Sequence, residues 1–228
     1  MDKTAIRNAA TVILFRRTAS APCILMGQRG AQAAFMPNKF VFPGGAVDSG
    51  DAEIDLVHPL NAACMDRLSD GVGLPLGNAL VTAAIREVWE ETGLRLGTPG
   101  DWKGDVPDDW RDFASTGLVP SAKGFTFVFR AITPPGRPRR FDARFFLVDA
   151  DQVAGDPTDF THATDELSQL QWIELDKVRD FDLPFITEVV LAEVSALIHS
   201  GEKPASVPFF SNDDEESLFL RIGARLAG

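Results

Sequence analysis

The residue pattern predicts a mixed α/β or α+β domain, and three observations carry that prediction. Apolar runs of strand length, rich in Val, Ile, Leu and Phe, lie both before and after the middle of the chain. Between them Ala83, Ala84, Ile85, Val88 and Trp89 recur at near-helical spacing. A long amphipathic stretch, Leu183 to His199, follows the last strand candidate. Periodicity alone goes no further than this class.

At 228 residues the chain suits one elaborated domain over residues 1–228. With 45% hydrophobic and 24% charged residues it can bury a core and belongs to the soluble globular class. Its net charge of −11 argues against a nucleic acid or a membrane surface as partner. An acidic protein can still take an anionic substrate where a metal and a local basic cluster override the overall field. Cys23 and Cys64 make neither a disulfide framework nor a zinc quartet and read as two reduced, buried thiols. No apolar run approaches the roughly 20 residues that span a bilayer. Ala9 to Phe15 is too short for a secretory signal, and Arg225-Leu226-Ala227-Gly228 carries no peroxisomal address. The expected location is therefore the cytoplasm.

Taken in order, Ala9 to Arg16 and Pro22 to Gln28 read as two strands joined by the polar turn Thr18-Ala19-Ser20. Phe40-Val41-Phe42 is a short strand that delivers Pro43-Gly44-Gly45, where paired glycines let the backbone turn tightly against a ligand. Leu60 to Leu68 has helical spacing, and Gly71, Gly73, Pro75 and Gly77 punctuate the return. Asn78 is the expected N-cap of a helix running to Glu91. In the connection from Leu94 to Lys123, Trp102, Trp110 and Phe113 read as packing residues rather than an aromatic platform for substrate. Phe125 to Thr133 and Arg140 to Val148 form a hairpin by pattern. Leu170 to Glu174 is a further strand, and Leu183 to His199 a helix after Pro184. The tail, 201–228, includes Asp213-Asp214-Glu215-Glu216 and then Leu218-Phe219-Leu220-Arg221-Ile222. Whether it is a docking helix or a partner contact stays open.

The chemistry concentrates on one helix. Glu87, Glu90 and Glu91 are related by i,i+3 and i,i+4 steps, so their carboxylates share a face, and Gly93 stands where a helix needs a left-handed stop. Three acids on one turn repel, and Arg86 alone does not neutralise them. A hard divalent cation does, because Mg²⁺ prefers carboxylate oxygen and water. The other charged feature is the basic run Arg137, Arg139, Arg140 with Arg144 beyond it, read either as a solvated strand end or as a clamp for a substrate phosphate.

Arg86-Glu87-Val88-Trp89-Glu90-Glu91-Thr92-Gly93-Leu94 resembles the helical half of the Nudix box, Gly-x5-Glu-x7-Arg-Glu-U-x-Glu-Glu-x-Gly-U with U aliphatic. Phe42 to Asp51 resembles the loop half. Gly45 is the motif's first glycine, and Asp51 stands where the family has Glu, with a shorter reach that sets it apart from metal binding. The family then has seven residues before its arginine; here there are 34, Ala52 to Ile85. The split box resembles the Nudix subfamily that includes the peroxisomal coenzyme A diphosphatase, as do Phe35-Met36-Pro37 and Arg139-Arg140-Phe141-Asp142-Ala143-Arg144-Phe145-Phe146. The resemblance covers roughly residues 9–175.

That resemblance implies an α/β/α sandwich around a mixed sheet, with 52–77 a helical lobe inserted inside the box. It implies a divalent-metal-dependent diphosphohydrolase acting on a nucleoside diphosphate derivative. The implied metal set for Mg²⁺ or Mn²⁺ is Glu87, Glu90, Glu91 and the Gly45 carbonyl. Glu87 can serve as ligand or base, and Arg86 orients the glutamates. Glu166 is the implied distal acid, with Asp165 second. Arg29, Arg139 and Arg140 are the candidate substrate contacts. Coenzyme A or an acyl derivative is the leading substrate; ADP-ribose, dinucleotides and NADH stay open. A ligand-sensing module without catalysis fits less well with an intact glutamate set. A homodimer is the partner expectation that the sequence leaves open.

Overall fold

The computed structural model describes residues 5–69, 74–212 and 216–223. In chain order the strands and helices are β1 (Ile6–Arg17), β2 (Pro22–Arg29), β3 (Phe40–Val41), β4 (Gly44–Ala46), α1 (Ala62–Leu68), α2 (Leu74–Thr92), β5 (Gly97–Pro99), α3 (Arg111–Ser115), β6 (Leu118–Pro120), β7 (Thr126–Ile132), β8 (Arg140–Asp149), β9 (Leu167–Glu174), α4 (Phe185–Ser200), β10 (Val207–Asn212) and β11 (Ser217–Ile222). Nine of the strands form one mixed sheet in the order β11-β10-β7-β8-β1-β2-β3, with β4 on β1 and β9 on β2. β1 runs parallel to β8, and β10 parallel to β7; the other pairs are antiparallel.

Two cores make this a three-layer sandwich. On one face Ala10, Val12 and Leu14 of β1 meet Leu80, Ala84 and Val88 of α2 and Cys64 and Leu68 of α1. On the other, Ile13 and Phe15 meet Val190, Leu191, Val194 and Ile198 of α4. A central strand covered on both faces must be apolar at consecutive positions, which is why β1 reads as a continuous run and not as an alternation. α4 begins after Pro184 and ends at Gly201, whose φ of 71° supplies the left-handed turn. Among the described residues no helix is long and apolar enough to cross a membrane.

Three expectations about elements need correction. Asn78 is not an N-cap: α2 starts at Leu74 and Asn78 lies inside it. Pro75 and Gly77 suggested a break, but proline is harmless in a first turn, where its missing N–H has no partner anyway. Gly77 is there for contact, since a Cβ would come within 2.8 Å of Met65 Sδ on α1. The tail is not a helix but a hairpin, β10 and β11, that extends the sheet. The Leu94 to Lys123 connection carries β5, β6 and α3, with Trp110 and Phe113 buried as packing residues. Gly71, Gly73, the acids Asp213, Asp214 and Glu215, and the terminus Arg225 to Gly228 lie outside the described residues.

Candidate active site

The glycine loop and α2 meet across β1. β4 pairs with β1 so that Gly44 lies opposite Thr11 and Gly45 opposite Ala10, while α2 packs over the same strand. Gly44 needs to be glycine: its φ is 154°, and a Cβ would lie 2.4 Å from the Ala10 carbonyl oxygen. At Gly45 a Cβ would lie 2.3 Å from Glu87 Oε1. Here the missing side chain is what lets a carboxylate sit against the loop backbone. The Gly44 N–H donates to Glu91 Oε2 at 2.8 Å, so a second glutamate is fixed to the same loop.

Arg86 is the hub. Its Nε and Nη2 donate to the two oxygens of Asp51 at 3.0 and 3.1 Å, Nη2 also to the Ala46 carbonyl, and Nη1 to Glu87 and Glu90 at 3.0 Å each. Asp48 adds a longer contact at 3.6 Å. Asp51 is buried and also accepts the Asp48 N–H, closing the short 3₁₀ turn Ser49–Glu53. The aspartate that departs from the family pattern is thus the clamp on the arginine. The sequence reading missed that pairing; the Asp48-x-x-Asp51 capping spacing marks the turn that carries Asp51 but not its partner.

Electrostatics follow from burial. Glu91 is pushed up to about 8, mainly by desolvation, with the Gly44 N–H pulling the other way and Glu87 repelling. Glu87 is pushed up to about 7 by burial, which outweighs the attraction of Arg86. Burial also raises Glu90, against the pull of Arg86. For Arg86, burial alone would lower its affinity for the proton, but Asp51, Glu87 and Glu90 more than restore it. Arg86 Nη1 lies between Glu87 and Glu90, and among the described residues no three His, Cys, Asp or Glu groups converge as a ready-made ligand set.

The other predicted residues divide. Glu166, exposed just before β9, is within electrostatic reach of Glu87, Glu90 and Glu91. Arg29, at the end of β2, acts on Glu91, and its Nε is buried without a hydrogen-bond partner. Arg140 corrects the expectation of a phosphate clamp. It is buried, with Nε on the Thr133 carbonyl and Nη2 on that of Asn212, so the fold uses its guanidinium. Arg139 is exposed on the β7–β8 turn. That turn is distant: Arg140 lies opposite Ile6, four residues along β1 from Ala10, or about 13 Å at strand rise.

A second buried charge cluster went unread in the sequence. Asp142 takes Arg130 bidentately at 2.9 and 2.7 Å and lies 3.1 Å from Arg144 Nη2. Arg144 Nη1 donates to Asn8 Oδ1 and to the Asp142 carbonyl. The signal was strand alternation: Asp142 and Arg144 share a face with buried Phe146 and Val148, which is no place for solvated charge.

The NUDIX domain family model matches residues 73–194, more than half of the chain. The chain belongs to the Nudix family. The match opens at the start of α2, so the glycine loop lies upstream of it, separated by the long spacer. A Caenorhabditis elegans protein that carries the name nudix hydrolase 7 is 32% identical over 180 residues, 74% of this chain and 51% of that protein. The Gallus gallus acyl-coenzyme A diphosphatase NUDT19 is 28% identical, over 62% of this chain and 54% of its own. The chain spans about half the length of both relatives. A solved NUDIX hydrolase from Alicyclobacillus acidocaldarius shares the fold at 26% identity and a TM-score of 0.62, covering 88% of this chain and 97% of that one.

Proposed function

We propose that this Nudix protein hydrolyses a diphosphate linkage in a nucleoside diphosphate derivative, with coenzyme A or an acyl-coenzyme A as the substrate tested first. One observation carries the reading. Glu87 and Glu91 are held against the glycine loop in a cradle that a single Cβ at Gly45 would fill. Burial raises all three helix carboxylates, so as anions they are costly without a further cation. The donors are all oxygen, which fits Mg²⁺ or Mn²⁺. Glu87, Glu90, Glu91 and the Gly45 carbonyl are the residues that would hold the ion. Bound there, it supplies a Lewis acid that offsets the negative charge of the diphosphate.

The chain's own groups do the rest. Arg86, fixed by Asp51, sets the directions of Glu87 and Glu90. Glu166 is the base we assign, because it stands free in solvent beside the cluster while the helix acids are engaged. Arg29, whose charge acts on Glu91, is the guanidinium we assign to a substrate oxygen near the cluster. Arg139 is the open arginine for a more distant phosphate. The 28% identity to an acyl-coenzyme A diphosphatase supports coenzyme A over the other diphosphates.

The deciding experiment is a screen of the purified protein against coenzyme A, acyl-coenzyme A, ADP-ribose, NADH and dinucleotides. Product formation is followed with Mg²⁺, with Mn²⁺ and with EDTA. We expect divalent-dependent cleavage, fastest on a coenzyme A. Turnover unaffected by EDTA would rule out the metal reading, and no turnover on any diphosphate would leave a ligand-sensing module.

A further inference from the structure

The nine-stranded sheet has two ends, and they are built differently. At one, β3 and β9 flank β2. β3 is two residues long, and β9 is broken by a bulge at which Gln169 takes a φ of 51° and the ladder with β2 shifts register. Ser168, Gln169 and Gln171 make that edge polar. Short strands, bulges and polar side chains are how sheet edges avoid pairing with another chain. At the other end β11 keeps unbroken register with β10 from Asn212↔Ser217 to Val207↔Ile222. Its outer side meets no strand among the described residues. Leu218, Phe219 and Leu220 there are 39%, 51% and 43% exposed. Phe219 leans on Phe129 and Phe210, on the α4 side, and Leu218 and Leu220 point to the opposite face.

We propose that β11 pairs antiparallel with β11 of a second copy of this chain, joining two sheets about a two-fold axis. The strand's own sequence favours a second copy over another protein's strand. Residues directly opposite in an antiparallel pair share a face, so a symmetric ladder must centre on a residue and not between two. Centred on Phe219, the apolar triplet is self-complementary: Phe219 meets its own copy, and Leu218 meets Leu220 twice. β11 contributes none of the residues assigned to catalysis, so the pairing stands or falls separately from the proposed reaction.

Sedimentation velocity on the full chain over a range of concentrations tests it. We expect a species of twice the 24.8 kDa chain mass. Leu218→Lys/Leu220→Lys, which faces lysine with lysine across the axis, should weaken the dimer at least roughly tenfold. A cross-linking variant guards against misfolding of that double mutant. Phe219→Cys should oxidise to a covalent dimer, whereas Ala196→Cys, on the exposed side of α4, should not. The native cysteines are both buried and do not compete. A wild-type chain that stays monomeric overturns the proposal. So does a dimer indifferent to the two lysines, or a Phe219→Cys chain that cross-links no faster than Ala196→Cys.

Discussion

Arg86 and Asp142 are each the centre of a buried charge cluster, both on the α2 face of the sheet, and the two are built in opposite proportion. Around Arg86 one guanidinium is shared by Asp48, Asp51, Glu87 and Glu90, with Glu91 behind them. Around Asp142 one carboxylate is shared by Arg130 and Arg144. The excess negative charge sits where burial already pushes carboxyl groups up, a state that a proton or a further cation relieves. The excess positive charge is spread over fixed partners: Arg144 reaches Asn8 and a backbone carbonyl, and Arg130 lies 4.4 Å over the Phe209 ring. One cluster carries more carboxylates than its one guanidinium offsets; the other ties β1, β7, β8 and β10 together. Titratable groups under strain mark function only when their partners are not already supplied by the fold.

The largest separation between the clusters should appear in turnover. Glu90→Gln and Glu91→Gln are expected to lower kcat by about a hundredfold or more, the scale of losing a metal-assisted step. Asp142→Asn should leave turnover per folded molecule within about threefold. Steady-state kinetics on the best substrate of the panel would read both, and a catalytic collapse in Asp142→Asn would merge the two clusters into one site. Stability should sort them the other way. Asp142→Asn leaves the buried Arg144 and the half-buried Arg130 without their carboxylate and should cost about 3 kcal/mol in urea unfolding. In Asp51→Asn, Arg86 keeps Glu87 and Glu90, so a smaller loss is expected, together with a higher Mg²⁺ requirement.

The next effect is selective. Arg139→Ala should lower kcat/KM for coenzyme A by roughly tenfold, with little loss on dephospho-coenzyme A, since a charge-assisted phosphate contact contributes about 1.5–3 kcal/mol. Arg140→Ala, whose guanidinium holds backbone carbonyls, should affect both substrates equally. Equal losses from Arg139→Ala would remove that residue from substrate recognition. The smallest effect is a pH slope. In the metal-free chain Glu87 and Glu91 have folded values raised above the ordinary 4.5. Their protonated forms are favoured by folding, so the contribution is complete below pH ~4.5 and is lost as pH rises through about 7 and about 8. The melting temperature in EDTA should fall by a few degrees between pH 5 and 8, and Mg²⁺ should restore it. Arg144, lowered to about 10 by burial, is silent in that window. A flat profile in EDTA would mean the carboxylates are already neutralised within the fold.

Much of this was legible in the residues. β1, β2, β7, β8 and α4 announce themselves because each is buried on one or two faces and carries the matching apolar period. The carboxylate face of α2 was legible too, since i,i+3 and i,i+4 spacing is local. What escaped is what depends on distant segments. The start of α2 was hidden by Pro75 and Gly77, whose tolerance comes from position in the turn and from contact with Met65. The tail's Leu218-Phe219-Leu220 has no period at all, because β11 is exposed on both faces. Arg140 looked like surface charge until its carbonyl partners, one of them 72 residues away, came into view. Asp51 and Arg86 are 35 residues apart, and nothing local says they form a bidentate pair.

That last pair has a consequence for how long the spacer can be. The loop and the helix of the motif meet through Asp51–Arg86 and Gly44–Glu91, not through their nearness in the chain. Closing a flexible loop costs entropy only as the logarithm of its length. Stretching the spacer from the family's seven residues to 34 therefore adds on the order of 1–1.5 kcal/mol. A buried two-point clamp holds its partners more strongly than that. Distance along the chain thus becomes a free variable at this site, and a lobe of almost any size can grow between the two halves without moving the carboxylates.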